Sequence, residues 1–132
     1  MATGTVATTA RKYHEDLVHY VVAPVAYTTL TGTIGKLPAG AMVIDAGFLV
    51  TTAFAGGTPQ TLDMGTTDDP DGFATALVIT AKGKKPADEL ATSDDLYMTA
   101  DTNVTYTLSA GATVSAGAGY AYVSYIIANR GA

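Results

Sequence analysis

Alternation of apolar and polar positions, rather than a helical period, organises this chain. From Ala41 to Phe54, Met42, Ile44, Ala46, Phe48, Val50, Thr52 and Phe54 fall on one face, while Asp45, Gly47, Thr51 and Ala53 fall on the other. A period of two over that length predicts a half-buried β-strand. Fourteen residues is long for a strand, which makes Gly47 a natural place for a bulge or bend. Thr61–Gly65 repeats the pattern in brief, with Leu62 and Met64 on one face. Tyr20–Thr29 is rich in β-branched and aromatic residues, and Pro24 confines it to a sheet edge or a bulge. Leu96–Ala100, Val104–Leu108 and Ala118–Ala128 complete the expected strands. In the last of these, Tyr120, Tyr122, Ser124 and Ile126 share one face and Ala121, Val123, Tyr125 and Ile127 the other. Both faces are largely apolar, so this strand is expected to be covered on both sides.

Between the strands lie turn-forming clusters, Ala55-Gly56-Gly57-Thr58-Pro59 and Thr66-Thr67-Asp68-Asp69-Pro70-Asp71-Gly72. Phe73–Ala81 reads equally as a strand or as a single helical turn. Lys82–Asp95 is the most polar stretch and reads as an exposed loop. Amphipathic helical segments do not alternate with the strands, which argues against a parallel α/β fold and for an all-β antiparallel sandwich or barrel. One short internal echo stands out: Leu37–Val43 and Leu108–Val114 share L-x-A-G-A-x-V. Either these are equivalent corners between two facing sheets, or A-G-A is simply a convenient turn. Residues 1–19 lack a sustained period and read as an extended arm, although a short helix over Arg11–His19 is an alternative; residues 20–132 form the domain.

Composition narrows the function. The chain has 132 residues, enough for one domain with its own core. Only 14% of residues are charged while 48% are hydrophobic, the opposite of a disordered composition. A net charge of -5 supplies no basic field for a nucleic-acid backbone. Zero cysteines exclude disulfides, thiolate metal sites and a cysteine nucleophile together. The N-terminal sequence has no apolar run of the secretory kind, so synthesis in the cytoplasm is expected. Leu17–Gly35 and Thr102–Asn129 contain no Asp, Glu, Lys or Arg, yet prolines, glycines and hydroxyl residues interrupt both, and neither reads as a membrane span. Uncharged stretches of that length need cover, from the protein's own core or from another subunit.

Candidate chemistry is sparse. Asp68, Asp69 and Asp71 form the densest carboxylate cluster. The regular calcium loop D-x-[DN]-x-[DN]-G is absent, and capping of turn amides around Pro70 and Gly72 is the favoured reading. His14 and His19 are five residues apart, which puts them on a common face of neither a helix nor a strand. No nucleophile elbow, P-loop or dinucleotide fingerprint is present, and Gly117-x-Gly119 reads as a turn entering a strand. Neither catalytic residues nor a cofactor are assigned. Lys82, Lys84 and Lys85 are the one basic cluster, expected on a solvated loop. Tyr97, Tyr106, Tyr120, Tyr122 and Tyr125 suit core packing and subunit contact better than a sugar platform, because the chain has no Trp.

Several runs carry a family likeness. T-G-T-I-G-K-L-P-A-G-A-M-V-I at 31–44, T-T-A-F-A-G-G-T at 51–58, T-L-D-M-G-T-T-D-D-P-D-G-F-A-T-A at 61–76 and S-A-G-A-T-V-S-A-G-A-G-Y-A-Y-V-S-Y-I at 109–126 together resemble small β-rich structural proteins of tailed bacteriophages. The resemblance spans roughly residues 20–128. It implies a jelly-roll-like sandwich that decorates or cements the virion head, a homo-oligomer with a trimer favoured, and a major capsid protein or other virion protein as partner. It also implies no catalytic residues, in line with the expectation of no enzymatic activity and no cofactor; charge and the interrupted apolar stretches themselves argue against a nucleic acid or a membrane as partner. A tail, neck or fibre protein with a receptor- or carbohydrate-binding role is the alternative. On this reading Tyr120, Tyr122, Tyr125, Ile126 and Ile127 are candidates for subunit interface or core, and Arg11, Lys12 and Tyr13 for capsid contact by the arm.

Overall fold

A computed structural model describes residues 17–56, 60–94, 96–110 and 113–127. Those residues form eight strands: β1 (His19–Ala26), β2 (Thr31–Leu37), β3 (Ala41–Ala55), β4 (Gln60–Thr66), β5 (Ala74–Val78), β6 (Gly83–Pro86), β7 (Thr102–Ala110) and β8 (Ala116–Ile127). They pair into two antiparallel four-stranded sheets, ordered β1-β8-β3-β6 and β2-β7-β4-β5. β1 pairs with β8, β2 with β7, β3 with β6 and β4 with β5, as if the first four strands and the last four formed one long hairpin wrapped around a core. That wrapping is the jelly-roll form of the sandwich, and it places β1 and β6 at the two edges of one sheet. No described residue is helical, so none belongs to a helix long and apolar enough to cross a membrane.

The core lies between the sheets. Phe48, Phe54, Phe73, Leu37, Leu62, Met64 and Ile79 are its largest fully buried side chains. Phe48 and Phe54, both on β3, lie with ring centroids 6.1 Å apart and press onto the inner face of β8. Gly117 and Gly119 make room for them, because a Cβ at Gly117 would stand 2.2 Å from the Phe54 ring and one at Gly119 2.7 Å from the Phe48 ring. The Gly117-x-Gly119 pair is therefore a packing notch within β8, and not the turn expected before the strand.

The two L-x-A-G-A-x-V segments stand at corresponding corners. Leu37 ends β2 and Ala41 opens β3, so the first segment crosses between the sheets; the second leads from β7 towards β8 across the same two sheets, with Gly111 and Ala112 outside the described residues. Since β2 and β7 are antiparallel, the two crossings lie at opposite ends of the sandwich.

Three expectations need correction, and one open alternative closes. Lys82–Asp95 is not wholly a loop: Gly83–Pro86 is β6, which pairs with Gly47–Val50 of β3. Leu96–Ala100 is not a regular strand. Tyr97 forms an isolated bridge to Met42, flanked by hydrogen bonds from Val43 N–H to the Leu96 carbonyl (2.8 Å) and from Met98 N–H to the Ala41 carbonyl (2.8 Å), and so continues the edge where β6 stops. Phe73–Ala81 resolves as a strand, Ala74–Val78. Finally, the face assigned to β3 slips. The ladder passes from Val43–Tyr125 to Asp45–Ser124, so Ile44 is a bulge, and the strand carries further irregularities at 50–55, but none at Gly47. Ala41 and Val43 point into the core before the bulge and Ala46, Phe48 and Val50 after it, leaving Met42 and Ile44 exposed.

Candidate functional site

Once the core is filled, the outer surface of the β1-β8-β3-β6 sheet is what the strands leave unpartnered. The register sets its rows: Pro24, Tyr120, Leu49 and Lys84 lie side by side across the sheet, and Val22, Tyr122, Gly47 and Pro86 form the next row. Beyond these come Tyr20, Ser124 and Asp45, then Ile126 opposite Met42. Tyr20 is 66% exposed, Val22 54% and Tyr120 47%; Ile44, Leu49 and Met42 are exposed as well. Tyr97, exposed beside Met42, extends the patch at one end.

The middle of this face is built around a glycine. Gly47 has no side chain, so the Tyr122 ring reaches across it; a Cβ there would stand 2.6 Å from the Tyr122 hydroxyl. Lys84 lies over the same ring, 5.5 Å from its centroid, and its Nζ is 4.0 Å from Asp45 Oδ2. The Tyr122 hydroxyl is buried without a hydrogen-bond partner. Ser124 is buried in this row and donates to the Asp45 carbonyl (3.4 Å).

The five C-terminal candidates divide between two sides. Tyr120, Tyr122 and Ile126 belong to the outer surface. Tyr125 and Ile127 pack against the core margin, with Tyr125 stacked on His19 at 5.4 Å between ring centroids. β8 is thus covered on one side only within a single chain, which corrects the expectation of cover on both. Tyr20, Val22, Met42, Ile44 and Leu49 complete the outer surface and were missed by sequence reasoning. The signal for Tyr20 and Val22 was their alternation with Val21, Ala23 and Val25, but with both sets apolar it does not say which turns outward. Arg11, Lys12 and Tyr13 lie outside the described residues, as does His14.

The Thr66–Gly72 turn is held by backbone groups of Asp69, while carboxylates accept backbone N–H groups elsewhere. Thr66 Oγ1 accepts from Asp69 N–H (3.2 Å), and the Asp69 carbonyl accepts from Thr66 N–H and Gly72 N–H (3.0 Å each). Asp88 Oδ1 accepts from Thr75 N–H (3.2 Å), Asp101 Oδ1 from Ala39 N–H (3.0 Å), and Asp63 Oδ1 from Ala76 N–H (2.7 Å). An acidic recess of about 220 Å³ lies between Asp69, Asp71, Glu89 and Asp94, but no three His, Cys, Asp or Glu side chains among the described residues converge as metal ligands. A shallow cleft of about 320 Å³ borders the apolar surface, lined by Pro24, Thr51, Tyr106, Ala118 and Tyr120. Burial pushes the Tyr106 phenol above its ordinary pKa of 10.0.

The comparisons with known proteins speak to the fold. No family model matches this sequence, and no curated protein does. Solved structures that match it include a chain of the cyanophage Pam1 capsid asymmetric unit, at TM-score 0.64 and 19% identity over 83% of this chain and 84% of that one; and a chain of the acidic stable capsid structure of Helicobacter pylori bacteriophage KHP30, at TM-score 0.65 and 15% identity over 87% and 91%. At that identity the likeness is one of fold, and it takes in nearly the whole length of all three chains.

Proposed function

We propose that this chain is a structural protein of a bacteriophage virion, and more specifically a head decoration or cement protein that bridges capsid subunits. The observation that carries the reading is the whole-length fold likeness to chains of two phage capsids. The apolar outer sheet surface supports it, since a face of that kind is stabilised by being covered in an assembly. The mechanism is mechanical: a rigid sandwich seated across subunit junctions opposes their separation, with no catalytic step and no cofactor. The chain is made in the host cytoplasm, assembles as a homo-oligomer with a trimer favoured, and meets the major capsid protein or another virion protein. Residues 1–19 act as an arm that orders on binding, with Arg11, Lys12 and Tyr13 as its contacts, and residues 20–132 as the body.

A tail, neck or fibre protein with a receptor- or carbohydrate-binding role is less well supported. The exposed tyrosines Tyr20 and Tyr120 stand among Val22, Pro24 and Leu49, with few groups nearby to hydrogen-bond sugar hydroxyls. Co-sedimentation with empty shells assembled from the capsid protein of the same genome tests the reading, using full-length chain and a chain lacking residues 1–19. Binding by the full chain and weaker binding without the arm is expected. A full-length chain that stays in the supernatant overturns the decoration reading.

A further inference from the structure

We propose that copies of this chain associate through the outer surface of the β1-β8-β3-β6 sheet, so that the occupant of the face is a second copy. Three features of the face point to this. The first is extent. Six large apolar side chains, Tyr20, Val22, Met42, Ile44, Leu49 and Tyr120, stand exposed on one sheet face, and a contiguous apolar patch of that kind marks an interaction surface.

The second is charge. A chain of net charge -5 repels its own copies over most of its surface. On this face the charged groups, Lys84 and Asp45, offset each other at 4.0 Å. Two copies meeting here bury no unpaired charge, the chief penalty of bringing like molecules together. The acidic recess between Asp69, Asp71, Glu89 and Asp94 lies elsewhere.

The third is that the edges of this sheet are blunted while its face is open. β1 carries Pro24, which has no N–H to donate to an added strand, and β6 is four residues long with Lys84 and Lys85. Growth by adding strands side by side is therefore disfavoured, and packing of face against face remains. The inference does not rest on the virion reading, since self-association here is independent of whether the oligomer binds a shell.

Light scattering on the full-length chain without shells, from dilute to concentrated solution, tests it. The expected result is a mass that rises to a small multiple of 13.4 kDa. Leu49→Lys and Val22→Glu, each placing a charge in the face, should raise the dissociation constant about a hundredfold or more while leaving the β-type circular dichroism spectrum intact. Thr105→Lys, on the other sheet, should leave the mass unchanged. Where a charged variant fails to fold, Tyr120→Ser serves, with an expected weakening of about tenfold. A 13.4 kDa species at every concentration overturns the proposal. So does an oligomer that survives both charged variants, or a monomer that covers this face only when shells are added.

Discussion

On one outer surface of the sandwich Tyr20, Val22, Leu49 and Tyr120 stand exposed; on the other, Thr31 lies opposite Thr107, Thr33 opposite Thr105, and Thr61 opposite Ser109. Both surfaces use the same pleated geometry and alternate with the core except at their bulges. What differs is how each is satisfied. Cross-strand threonine pairs fit a strand through their β-branching and offer hydroxyls to water and to one another, so that surface is complete in a single chain. The apolar surface has only the Lys84–Asp45 pair and the Tyr122 ring over Gly47 to reduce its contact with water. A low-charge chain can stay soluble on a hydroxyl surface, whereas an apolar one gains by being covered. The contrast therefore separates a finished surface from one that needs a partner.

The sharpest way to probe the contrast is along β3, where neighbouring residues face opposite ways. Phe48→Ala removes a fully buried ring and should cost about 3–5 kcal/mol of folding stability in denaturant titration. Leu49→Ala, one residue on, should change the stability of the dilute chain by no more than about 0.5 kcal/mol and act on association instead. Next in size is the centre of the apolar face. Gly47→Ala forces the Tyr122 ring aside and should destabilise by about 1–3 kcal/mol in the same titration. Tyr122→Phe removes a buried hydroxyl that lacks a partner, and the chain should be unchanged or up to about 1 kcal/mol more stable.

Smaller effects belong to the hydroxyl-faced sheet. Ala76, an exposed non-glycine at φ 51°, sits in the left-handed region. Ala76→Gly relieves that conformation and should raise the thermal midpoint, by about 0.5–1 kcal/mol in stability terms. Tyr106, on the inner side of β7, titrates above its unfolded value of 10.0 because burial disfavours the phenolate. Its contribution is complete below pH 10 and is lost as pH climbs through the raised value. Alkaline unfolding of Tyr106→Phe should accordingly begin at a higher pH than that of the parent chain.

Much of the fold was legible in the residues. Alternation over Ala46–Val50 and at Leu62 and Met64 identified core-facing positions, and Pro24 identified an edge strand. The slip at Ile44 was not legible, because a bulge is fixed by the partner strand, where Tyr125 and Ser124 take Val43 and Asp45 and leave Ile44 unpaired. Nor was β6 legible: four residues with two lysines acquire strand form only from hydrogen bonding to Gly47–Val50. Strand order depends on pairings as distant as His19 with Tyr125, which no local pattern encodes. The candidate site was half legible. The tyrosines of β8 drew attention to the correct strand, but two apolar alternations in one segment cannot say which faces the core. Gly117 and Gly119 hold the answer, since they mark the side on which Phe54 and Phe48 approach.

The central claim is that the apolar sheet surface is covered in the working assembly and the threonine surface is not required to be. Hydroxyl-radical labelling read by mass spectrometry, comparing the dilute chain with the concentrated chain in the absence of shells, tests it most directly. Strong protection of Tyr20, Met42 and Tyr120 on assembly is the predicted result. Equal labelling of those three residues in both states would contradict the account.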